Sequence, residues 1–511
     1  MHSKKLKQDI NRRSFMKEAC ILAGGAALLG ATVGSAVGAE IPRYTPIPSR
    51  WDDEVDIVII GSGGAAAASA ISAHEGGIKK ILILEKAPFS GGASAISGGA
   101  MAASNSKLHL QEKNGIKDSE KLHYEDTIKA GEYKGHPELV KKLCYEAPNT
   151  INWMVDLGFE FRDKLMRLGG HSVPRGYNFV GSGPGMMRTA KKLLKEREIT
   201  ILLEHRVVDI LRDGPRKGRV KGVKVDHRGK ELNIKAKKAV IMAAGGFSAN
   251  IAMRMKHDPT LNEKLGNTST KYVTGDGIVM GKSIMSDTVD MDYIQSIPRS
   301  TPRGKLGKVA VETFWKIGQG AIDVNKKGKR FVNSLAKRAV ESSFILKQEK
   351  PIFVIYDEKL KSKAGALSDD EYLKAIKRGR IIQGSTIEDL AKKAGINASA
   401  LVGTIDEYNS YVDSGKDPVF GRPVLKVKID KSPFYAIPSW TAVHYTMGGL
   451  VINTRTQVKD ILDNIIPGFY AVGEVTGGVH GTCRLGSNAL SEIWTFGRTA
   501  GKMAAAEKSW V

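Results

Sequence analysis

Cysteine is scarce in this 511-residue sequence, which contains only three. No Cys-x-x-Cys pair occurs, and cysteine-tethered haem, zinc ribbons and cysteine-ligated iron–sulfur clusters are built on such pairs. The sequence therefore predicts no disulfide-built scaffold and no metal site on this chain.

Acidic residues are also under-represented, with 54 Asp and Glu against 78 Lys and Arg, so the formal net charge is +24. A strongly basic chain raises nucleic acid as a partner. The remaining composition, 41% hydrophobic and 26% charged, is typical of a soluble globular protein and excludes collagen, disorder and a polytopic membrane protein. The length allows roughly two to four domains.

The first 39 residues have the pattern of an export signal. A polar, basic stretch leads into Arg12-Arg13, and a Gly/Ala-rich apolar run follows from Ala19 to about Ala39. This pattern predicts a twin-arginine signal, cleaved after Ala39, that sends a folded protein to the periplasm. An uncleaved anchor is the alternative, because the run approaches the ~20 residues that span a bilayer. Its Gly and Ala content disfavours an anchor, so we expect no membrane span in the mature chain, and export removes the opportunity to bind nucleic acid.

A nucleotide-binding β–α–β unit is predicted at the start of the mature chain. The β-branched run Val55–Ile60 is typical of a buried parallel strand, and it leads into the glycine-rich segment Gly61–Ala66. An Ala-rich helix to about His74 follows, and a second strand, Lys80–Leu84, ends at Glu85. The pattern is G-x-G-x-x-A with an acidic residue at the end of the second strand, which indicates a dinucleotide site.

Each residue of this unit has a physical role in the prediction. Gly61 makes the tight turn, Gly63 lets the backbone approach a pyrophosphate, and Ala66 permits close packing of helix on strand. The N–H groups at the helix N-terminus would face the phosphates. Glu85 would accept hydrogen bonds from both ribose hydroxyls.

Further glycine-rich segments distinguish FAD from NAD. A second such loop, Pro88–Ser94, and the small-residue stretch Ala95–Ser104 follow the unit directly. Strand-to-turn boundaries then occur at Ala239–Phe247, Tyr272–Gly277 and Gly468–Glu474. In this order, the segments predict return strands that wrap one extended FAD from both ends of the chain.

The C-terminal segments resemble one known family in detail. Gly473–Gly481 and Arg484–Leu490 resemble the signature of the fumarate reductase/succinate dehydrogenase flavoprotein family. Lys329–Asn333 with Arg338, and His444–Gly449, resemble its soluble periplasmic flavocytochrome-type branch, which includes fumarate, urocanate and other enoate reductases. Leu390–Ile396 also matches this branch. Unlike the flavocytochromes, this sequence carries no haem segment.

The resemblance implies an α/β fold in which a discontinuous, Rossmann-like FAD-binding domain carries an inserted α+β clamp, or capping, domain. We expect the FAD-binding domain at 50–295 and 444–511, and the clamp at 296–443. Within the clamp, Ser385–Glu388 predicts a capping box that opens a helix closed by Gly395. We expect the FAD to be non-covalent.

The glycine pattern and the resemblance together assign a set of residues to cofactor binding. They are Gly61, Gly63, Gly64, Ala65, Ala66, Glu85, Lys86, Gly91, Gly92, Ala93, Ser94, Gly98, Gly99, Val207, Ala244, Gly245, Gly246, Thr274, Gly275, Asp276, Gly473, Glu474, Arg484, Ser487, Asn488, Ala489 and Leu490.

The family's reaction needs positive groups around an alkene. Hydride passes from flavin N5 to the β-carbon of an unsaturated acid, and negative charge develops on the α side. By resemblance, Arg484 and His444 hold the substrate carboxylate and Arg338 donates the proton. Because a free arginine does not lose its proton near neutral pH, Arg338 would need a relay that reprotonates it.

The sequence departs from the fumarate-specific relatives at one end of this pocket. A His of those relatives aligns with Ile297, their Glu with Phe314 and their relay Arg with Ile317, whereas Thr313 is retained. A slip in the alignment could place Glu312 in the position of the lost Glu, which leaves the relay open. Because an unpaired buried carboxylate costs several kcal/mol, the apolar residues favour an acid with one carboxylate, similar to acrylate, methacrylate or cinnamate, over fumarate.

Two residues of the loop Gly169–Tyr177, which faces the substrate in the family, remain ambiguous. His171 and Tyr177 could hold a polar substituent of the substrate or could be ordinary structural residues.

The electron donor is absent from this sequence. A separate c-type cytochrome is the expected donor, and the charge of the mature chain, +20 once the signal's +4 is removed, could steer an acidic partner to it. The charge could instead serve solubility or weak binding to anionic lipid. The alternatives to an enoate reductase are fumarate reductase proper, a ketosteroid dehydrogenase- or aspartate oxidase-like flavoenzyme, and a non-catalytic flavin electron carrier.

Overall fold

The computed structural model describes residues 44–214 and 216–511. The predicted export signal, 1–39, lies outside these ranges. The strands are β1 (Asp53–Ile60), β2 (Ile81–Leu84), β3 (Ala100–Ala102), β4 (Phe161–Met166), β5 (Gly176–Phe179), β6 (Thr200–Leu202), β7 (Arg206–Arg212), β8 (Val220–His227), β9 (Lys230–Met242), β10 (Thr288–Val289), β11 (Ile294–Ser300), β12 (Ile322–Val324), β13 (Ile352–Asp357), β14 (Ile382–Gly384), β15 (Phe434–Thr446), β16 (Gly449–Leu450), β17 (Gln457–Lys459) and β18 (Ile465–Ala471).

The structure also has α-helices along most of the described chain. They are α1 (Gly64–Glu75), α2 (Leu110–Lys113), α3 (Glu120–Ala130), α4 (Pro137–Asp156), α5 (Ser182–Glu196), α6 (Ile251–His257), α7 (Asp276–Ser283), α8 (Lys308–Gln319), α9 (Arg338–Ile345), α10 (Glu358–Lys361), α11 (Asp369–Lys377), α12 (Ile387–Ala394), α13 (Ala398–Ser414) and α14 (Asn488–Ala506).

The largest sheet has the strand order β17-β18-β9-β1-β2-β6, and the antiparallel strands β8 and β7 extend it from β9. Strand β1 pairs in parallel with both β2 and β9, so that Ile57 lies between Ile81 and Ala239. The four residues at the end of β1 are buried, because a parallel sheet covered by helices has no face in water. This arrangement confirms the predicted Rossmann-like α/β fold.

Helices α1 and α14, which lie far apart in the sequence, pack directly against each other. A Cβ atom on Gly497 would fall 2.7 Å from the Ala65 carbonyl oxygen, and one on Gly501 would fall 2.3 Å from that of Ser69. Only glycine allows the backbones of the two helices to approach this closely. Helix α14 is thereby packed directly on the helix that follows the glycine-rich turn.

A second layer is built from the middle of the chain. Its five-stranded sheet has the order β11-β15-β13-β12, with β14 also paired to β15. Buried residues of β12, β13 and β15 pack with helices α12 and α13 in one apolar cluster, and buried residues of β13 and β15 pack with α8 and α11 in another. Strand β15 pairs with β11 through Gln295↔Tyr445 and Ile297↔Ala442, which brings the His444 segment beside β11.

One local prediction is corrected at helix α12. The N-cap residue is Thr386, whose hydroxyl accepts from the Asp389 backbone N–H at 3.1 Å, and the Asp389 carboxylate accepts from the Ser385 N–H at 2.9 Å. The N-cap therefore lies one residue later than predicted, because Thr386 and Asp389 have the same spacing as Ser385 and Glu388. The predicted capping box is not formed, because the Asp389 carboxylate bonds to the residue before the N-cap. Gly395 closes the helix in the left-handed region at φ +68°, as predicted.

Within the described ranges, none of the helices combines the length and apolarity that crossing a membrane requires. The same part of the chain contains no group of three or more His, Cys, Asp or Glu residues arranged to hold a metal ion.

Candidate active site

The turn between β1 and α1 has the geometry of a phosphate-binding loop. Gly61 has φ +98°, and a Cβ there would lie 2.5 Å from the Ala243 carbonyl oxygen. Gly63 caps helix α1 without any side-chain hydrogen bond, which leaves N–H groups of the first turn available to a ligand. The Gly64 N–H donates to the Ser94 hydroxyl at 3.0 Å, which joins the first glycine-rich loop to the second.

Glu85 lies at the carboxyl end of β2 beside this turn. One of its carboxylate oxygens accepts from the Ser62 hydroxyl at 2.6 Å and the Ser62 N–H at 3.1 Å, and the other accepts from the Ala87 N–H at 2.8 Å. These bonds hold the carboxylate at the edge of the sheet where the sequence predicts a ribose.

Three other residues that are predicted to bind the cofactor, Lys86, Thr274 and Asp276, contact one another through polar groups. The Lys86 ammonium contacts the Thr274 hydroxyl at 2.5 Å and the Asp276 carboxylate at 3.1 Å. Val207 is buried on β7 opposite Val225. The Lys86 contacts bring the turn that precedes helix α7 next to the end of β2.

Asn488, at the start of helix α14, has structural partners. Its side-chain oxygen lies 3.0 Å from His123 Nε2, and its amide donates to the Thr127 hydroxyl at 3.0 Å. Ser487, just before it, has a left-handed backbone at φ +68°. These contacts fix the segment that follows Arg484 against helix α3.

His444 lies near the end of β15, where its Nδ1 is 2.7 Å from the Thr268 hydroxyl. Burial, and then repulsion from Arg484 and Arg338, hold the pKa of His444 well below its ordinary value of 6.5. The imidazole is therefore neutral near pH 7.

Arg484 is buried, and its guanidinium lies over the ring of Tyr445, 4.8 Å from the ring centre. One terminal nitrogen donates to the Leu485 carbonyl at 2.6 Å, whereas Nε has no hydrogen-bond partner in the described structure. Gln295 on β11 donates to the Arg484 carbonyl at 3.1 Å, which fixes the backbone at this point. Arg484 therefore retains unused hydrogen-bonding capacity in a site closed to bulk water.

Arg338 is the first residue of helix α9. Burial, and then repulsion from Arg484, lower the pKa of Arg338 to about 10. Arg484 lowers the pKa of both Arg338 and His444, and Arg338 also lowers the pKa of His444. The three side chains therefore lie within electrostatic range of one another, although they come from three separate segments.

The apolar end of the predicted pocket comes from β11 and helix α8. Ile297 is 4% exposed, and the ring of Phe314 packs against the guanidinium of Arg299 at 5.6 Å. The retained Thr313 is buried, and its hydroxyl donates within its own helix to the Ala310 carbonyl at 2.5 Å. Its one hydroxyl proton is therefore already used.

The Glu312 carboxylate is bound by residues that lie outside this predicted pocket. Its carboxylate lies 3.0 Å from the Lys316 ammonium, and it accepts from the Tyr372 hydroxyl at 2.6 Å and the Leu367 N–H at 3.1 Å. The side chain is fully enclosed. Glu312 thus serves the packing of helix α8 on helix α11, and none of these contacts leads to Arg338.

The structure places His171 and Tyr177 in different surroundings. His171 Nε2 lies 2.7 Å from the Gly486 carbonyl, next to the Arg484 segment. Tyr177 is fully buried, and its hydroxyl contacts the Ser104 carbonyl at 3.1 Å and the Gln111 side chain. The hydroxyl of Tyr177 is therefore occupied within the core.

Sequence reasoning did not identify one buried acidic residue near Arg484. Glu492, on helix α14, accepts from the Gly473 N–H at 3.0 Å and from the Tyr445 hydroxyl at 3.4 Å. Burial, and then repulsion from Glu474, raise the pKa of Glu492 to about 8, and burial raises that of Glu474 to about 7. A glutamate on the apolar face of the last helix was the one available signal in the sequence.

This raised pKa predicts a pH-dependent stability. Because folded Glu492 keeps its proton up to about pH 8 whereas an unfolded glutamate loses it near 4.5, stability is greatest at low pH and falls as pH rises through 8. The Glu492→Gln protein should be more thermostable than wild type at pH 8.5 and show a flatter dependence of Tm on pH. Differential scanning calorimetry between pH 5.5 and 8.5 measures this.

The control for this prediction is Glu146→Gln, which removes a surface carboxylate 2.8 Å from Lys142. It should leave the pH dependence of Tm unchanged. Parallel curves for the Glu492→Gln and wild-type proteins would contradict the raised pKa.

Unsatisfied buried groups test whether this region fits FAD and an acidic substrate. Both ring nitrogens of His480, Nε of Arg484 and the side-chain oxygen of Gln295 are buried without hydrogen-bond partners in the described structure. Buried polar atoms are rarely left unpaired, so these groups indicate a polar ligand. Together with the open N–H groups after Gly63, they fit the ring and phosphates of FAD.

Comparison with known proteins identifies relatives across most of the chain. Residues 56–490 match the family described as FAD binding domain. The chain is 37% identical over 479 residues to the fumarate reductase (cytochrome) of Shewanella frigidimarina, covering 93% of this chain and 81% of that protein. It is 34% identical over 520 residues to the acrylate reductase flavoprotein subunit of Shewanella woodyi, covering 97% and 99% of the two chains.

A solved structure agrees with these matches. The open conformation of a flavocytochrome c3 fumarate reductase superposes with a TM-score of 0.77 at 32% identity, covering 98% of this chain and 82% of that one. The fold and the glycine-rich turn thus define an FAD-dependent oxidoreductase. The chain belongs to the fumarate reductase-type family of FAD-binding flavoproteins. The predicted family, cofactor and enzyme class are confirmed.

Proposed function

We propose that the protein reduces the carbon–carbon double bond of an α,β-unsaturated monocarboxylate. Relatives named as fumarate reductase and acrylate reductase support reduction of unsaturated acids in general. The observation that carries the proposal is the group of three basic side chains, Arg338, His444 and Arg484, which lie within electrostatic range of one another; Arg484 is buried, and the other two are half-buried. None of them makes a hydrogen-bonded ion pair with a carboxylate of the described residues, so an acidic substrate can complete the site.

In this proposal, Arg484 and His444 bind the substrate carboxylate. The guanidinium of Arg484 offers N–H groups to a planar carboxylate, and its Nε has no other partner in the described structure. Because His444 is neutral, the Thr268 hydroxyl can donate to its Nδ1 and leave an N–H on Nε2. That N–H gives the carboxylate a second donor, from a part of the chain other than the Arg484 segment.

Proton transfer to the α-carbon falls to Arg338. FAD, when bound, supplies the hydride. The guanidinium of Arg338 stabilises the negative charge that develops on the substrate, and its pKa of about 10 makes it a stronger acid than an exposed arginine.

The far end of the pocket supports a substrate with a single carboxylate. Ile297 and Phe314 are apolar, and the hydroxyl proton of Thr313 is donated to its own helix. The nearest cation to Phe314, Arg299, is already paired with Asp323 and Glu341. A second substrate carboxylate would therefore be buried without a partner, which costs several kcal/mol.

The cellular setting is part of the same proposal. We place the mature protein in the periplasm after twin-arginine export, as a terminal reductase of anaerobic respiration that receives electrons from a separate c-type cytochrome. The name of one relative, a flavoprotein subunit, supports a separate electron-carrying partner. We further propose that residues 296–443 form a clamp domain inserted into the FAD-binding domain, and that the flavin is held without a covalent bond.

A viologen-oxidation screen tests the proposed reaction. Purified FAD-loaded protein with reduced viologen should consume acrylate-, methacrylate- or cinnamate-like acids. Preference for fumarate would favour fumarate reductase proper, and oxygen-dependent turnover of steroid or aspartate would favour the other flavoenzymes. Reduction of the bound FAD by viologen, with no acid consumed afterwards, would favour an electron carrier. Any of these three results would overturn the proposal.

A further inference from the structure

Helix α9 is tied to a buried ion cluster centred on Arg299. The guanidinium of Arg299, on β11, donates to the two carboxylate oxygens of Asp323 over 3.1 and 2.7 Å and to the Ser334 carbonyl at 2.9 Å. It also forms an ion pair with Glu341, in the first turn of α9. Arg299, Asp323 and Glu341, which are all 2% exposed or less, are called the Arg299 network below.

The network acts on the turn of α9 that carries Arg338. Arg338 and Glu341 are three residues apart, so their side chains leave the same face of the helix. Any rotation of α9 that moved Arg338 would pull Glu341 from Arg299. Arg299 is also close enough to Arg338 to lower its pKa, which places the network beside the proposed proton donor.

Among the described residues, no carboxylate forms a salt bridge with Arg338. Helix α8 presents Phe314 and the buried Ile317 at the positions where the family resemblance leads us to expect a Glu and an Arg. Its one acidic residue, Glu312, is held by Lys316 and Tyr372. Glu341, one turn along α9 from Arg338, is instead held by Arg299.

We infer that the Arg299 network positions Arg338 for proton transfer, in place of the charged relay residues missing from α8. Arg299 and Glu341 are positioning residues, because Arg299 is paired with both Asp323 and Glu341 and acts on Arg338 only through helix α9. The inference rests on the proposed function, since it gives Arg338 the role of proton donor.

The test is a double-mutant cycle on Arg299→Gln and Glu341→Gln, with the proposed acid as substrate. Because an error of about 1 Å in placing a catalytic group costs up to about 100-fold in rate, each single variant should lose about 10- to 100-fold in kcat. KM should change by less than about threefold, because Arg484 and His444 are untouched. The double variant should be no slower than the slower single variant, and Arg299→Lys should recover part of kcat.

Arg330→Gln is the matched control. It removes another buried pair of the same layer, between Arg330 and Asp417, that has no contact with α9. It should lower Tm about as much as Arg299→Gln while kcat stays within about twofold. Three results would overturn the inference: the same loss of kcat in the control, a rise in KM with kcat unchanged, or losses that multiply in the double variant.

A structural readout separates this inference from the proposed function. In a crystal structure of FAD-loaded Arg299→Gln protein, the guanidinium of Arg338 should be displaced by about 1 Å or more from its wild-type position, as the rate loss requires. If the wild-type protein reduces no unsaturated acid, the proposed function fails, and this comparison alone decides the positioning role. An unmoved Arg338 would overturn it.

Discussion

Replacing Arg338 by alanine is expected to abolish reduction of unsaturated acids while the protein stays folded and loaded with FAD. General acid catalysis contributes about 10²- to 10⁴-fold, and loss of the guanidinium also removes stabilisation of the developing negative charge, so kcat should fall by about 10³-fold or more. KM should change little, because Arg484 and His444 still hold the carboxylate. Stopped-flow oxidation of the reduced protein by the acid measures the step directly.

Two further variants make this prediction specific. Arg338→Lys keeps a cation but loses the planar guanidinium, so it should recover only a small part of the rate. Lys337→Ala removes the neighbouring exposed cation, whose nearest carboxylate is that of Glu132 at 3.7 Å, and should leave kcat unchanged. Turnover by the Arg338→Ala protein at more than a tenth of the wild-type rate would contradict the role of Arg338.

The second large effect concerns substrate choice. Because burial of an unpaired carboxylate costs several kcal/mol, kcat/KM for acrylate should exceed that for fumarate by about 100-fold or more. The double variant Ile297→His and Phe314→Glu restores polar groups found in fumarate-specific relatives, and should raise kcat/KM for fumarate by about tenfold or more. The same variant should lose activity with acrylate, whose apolar end would then face polar groups.

The control for substrate choice is the volume-conserving pair Ile297→Leu and Phe314→Leu. It should keep the preference for acrylate, because the wall stays apolar. If wild-type protein uses fumarate at least as well as every monocarboxylate tried, the specificity prediction is wrong.

Local sequence patterns predicted the nucleotide-binding β–α–β unit well. The run Val55–Ile60, the turn at Gly61 and the strand that ends before Glu85 are each formed by neighbours in sequence, so local propensity and glycine conformation determine them. The N-cap of helix α12 was misplaced by one residue, because two overlapping Ser/Thr-x-x-acid patterns compete there and only packing selects Thr386.

The predicted site depended on resemblance, and its surroundings could not be read from the sequence. Arg299, Asp323 and Glu341 are separated by more than a dozen residues and meet only because β11, β12 and α9 pack together. The hydrogen-bond partners of Glu312 also depend on tertiary contacts, since Tyr372 lies on another helix. Such pairings are set by packing, which no local pattern reports.

The close contact between the helices that begin at Gly64 and at Asn488 has a consequence for biosynthesis. The glycine-rich turn is made long before the helix that covers it, because the two helices start at Gly64 and Asn488. A ribosome-bound chain that has not yet reached Asn488 therefore lacks one wall of the proposed nucleotide cleft, and we expect cofactor insertion to follow synthesis of that helix. If the N-terminal segment is an export signal, transport would have to follow that late event, which suits a translocon that accepts finished molecules.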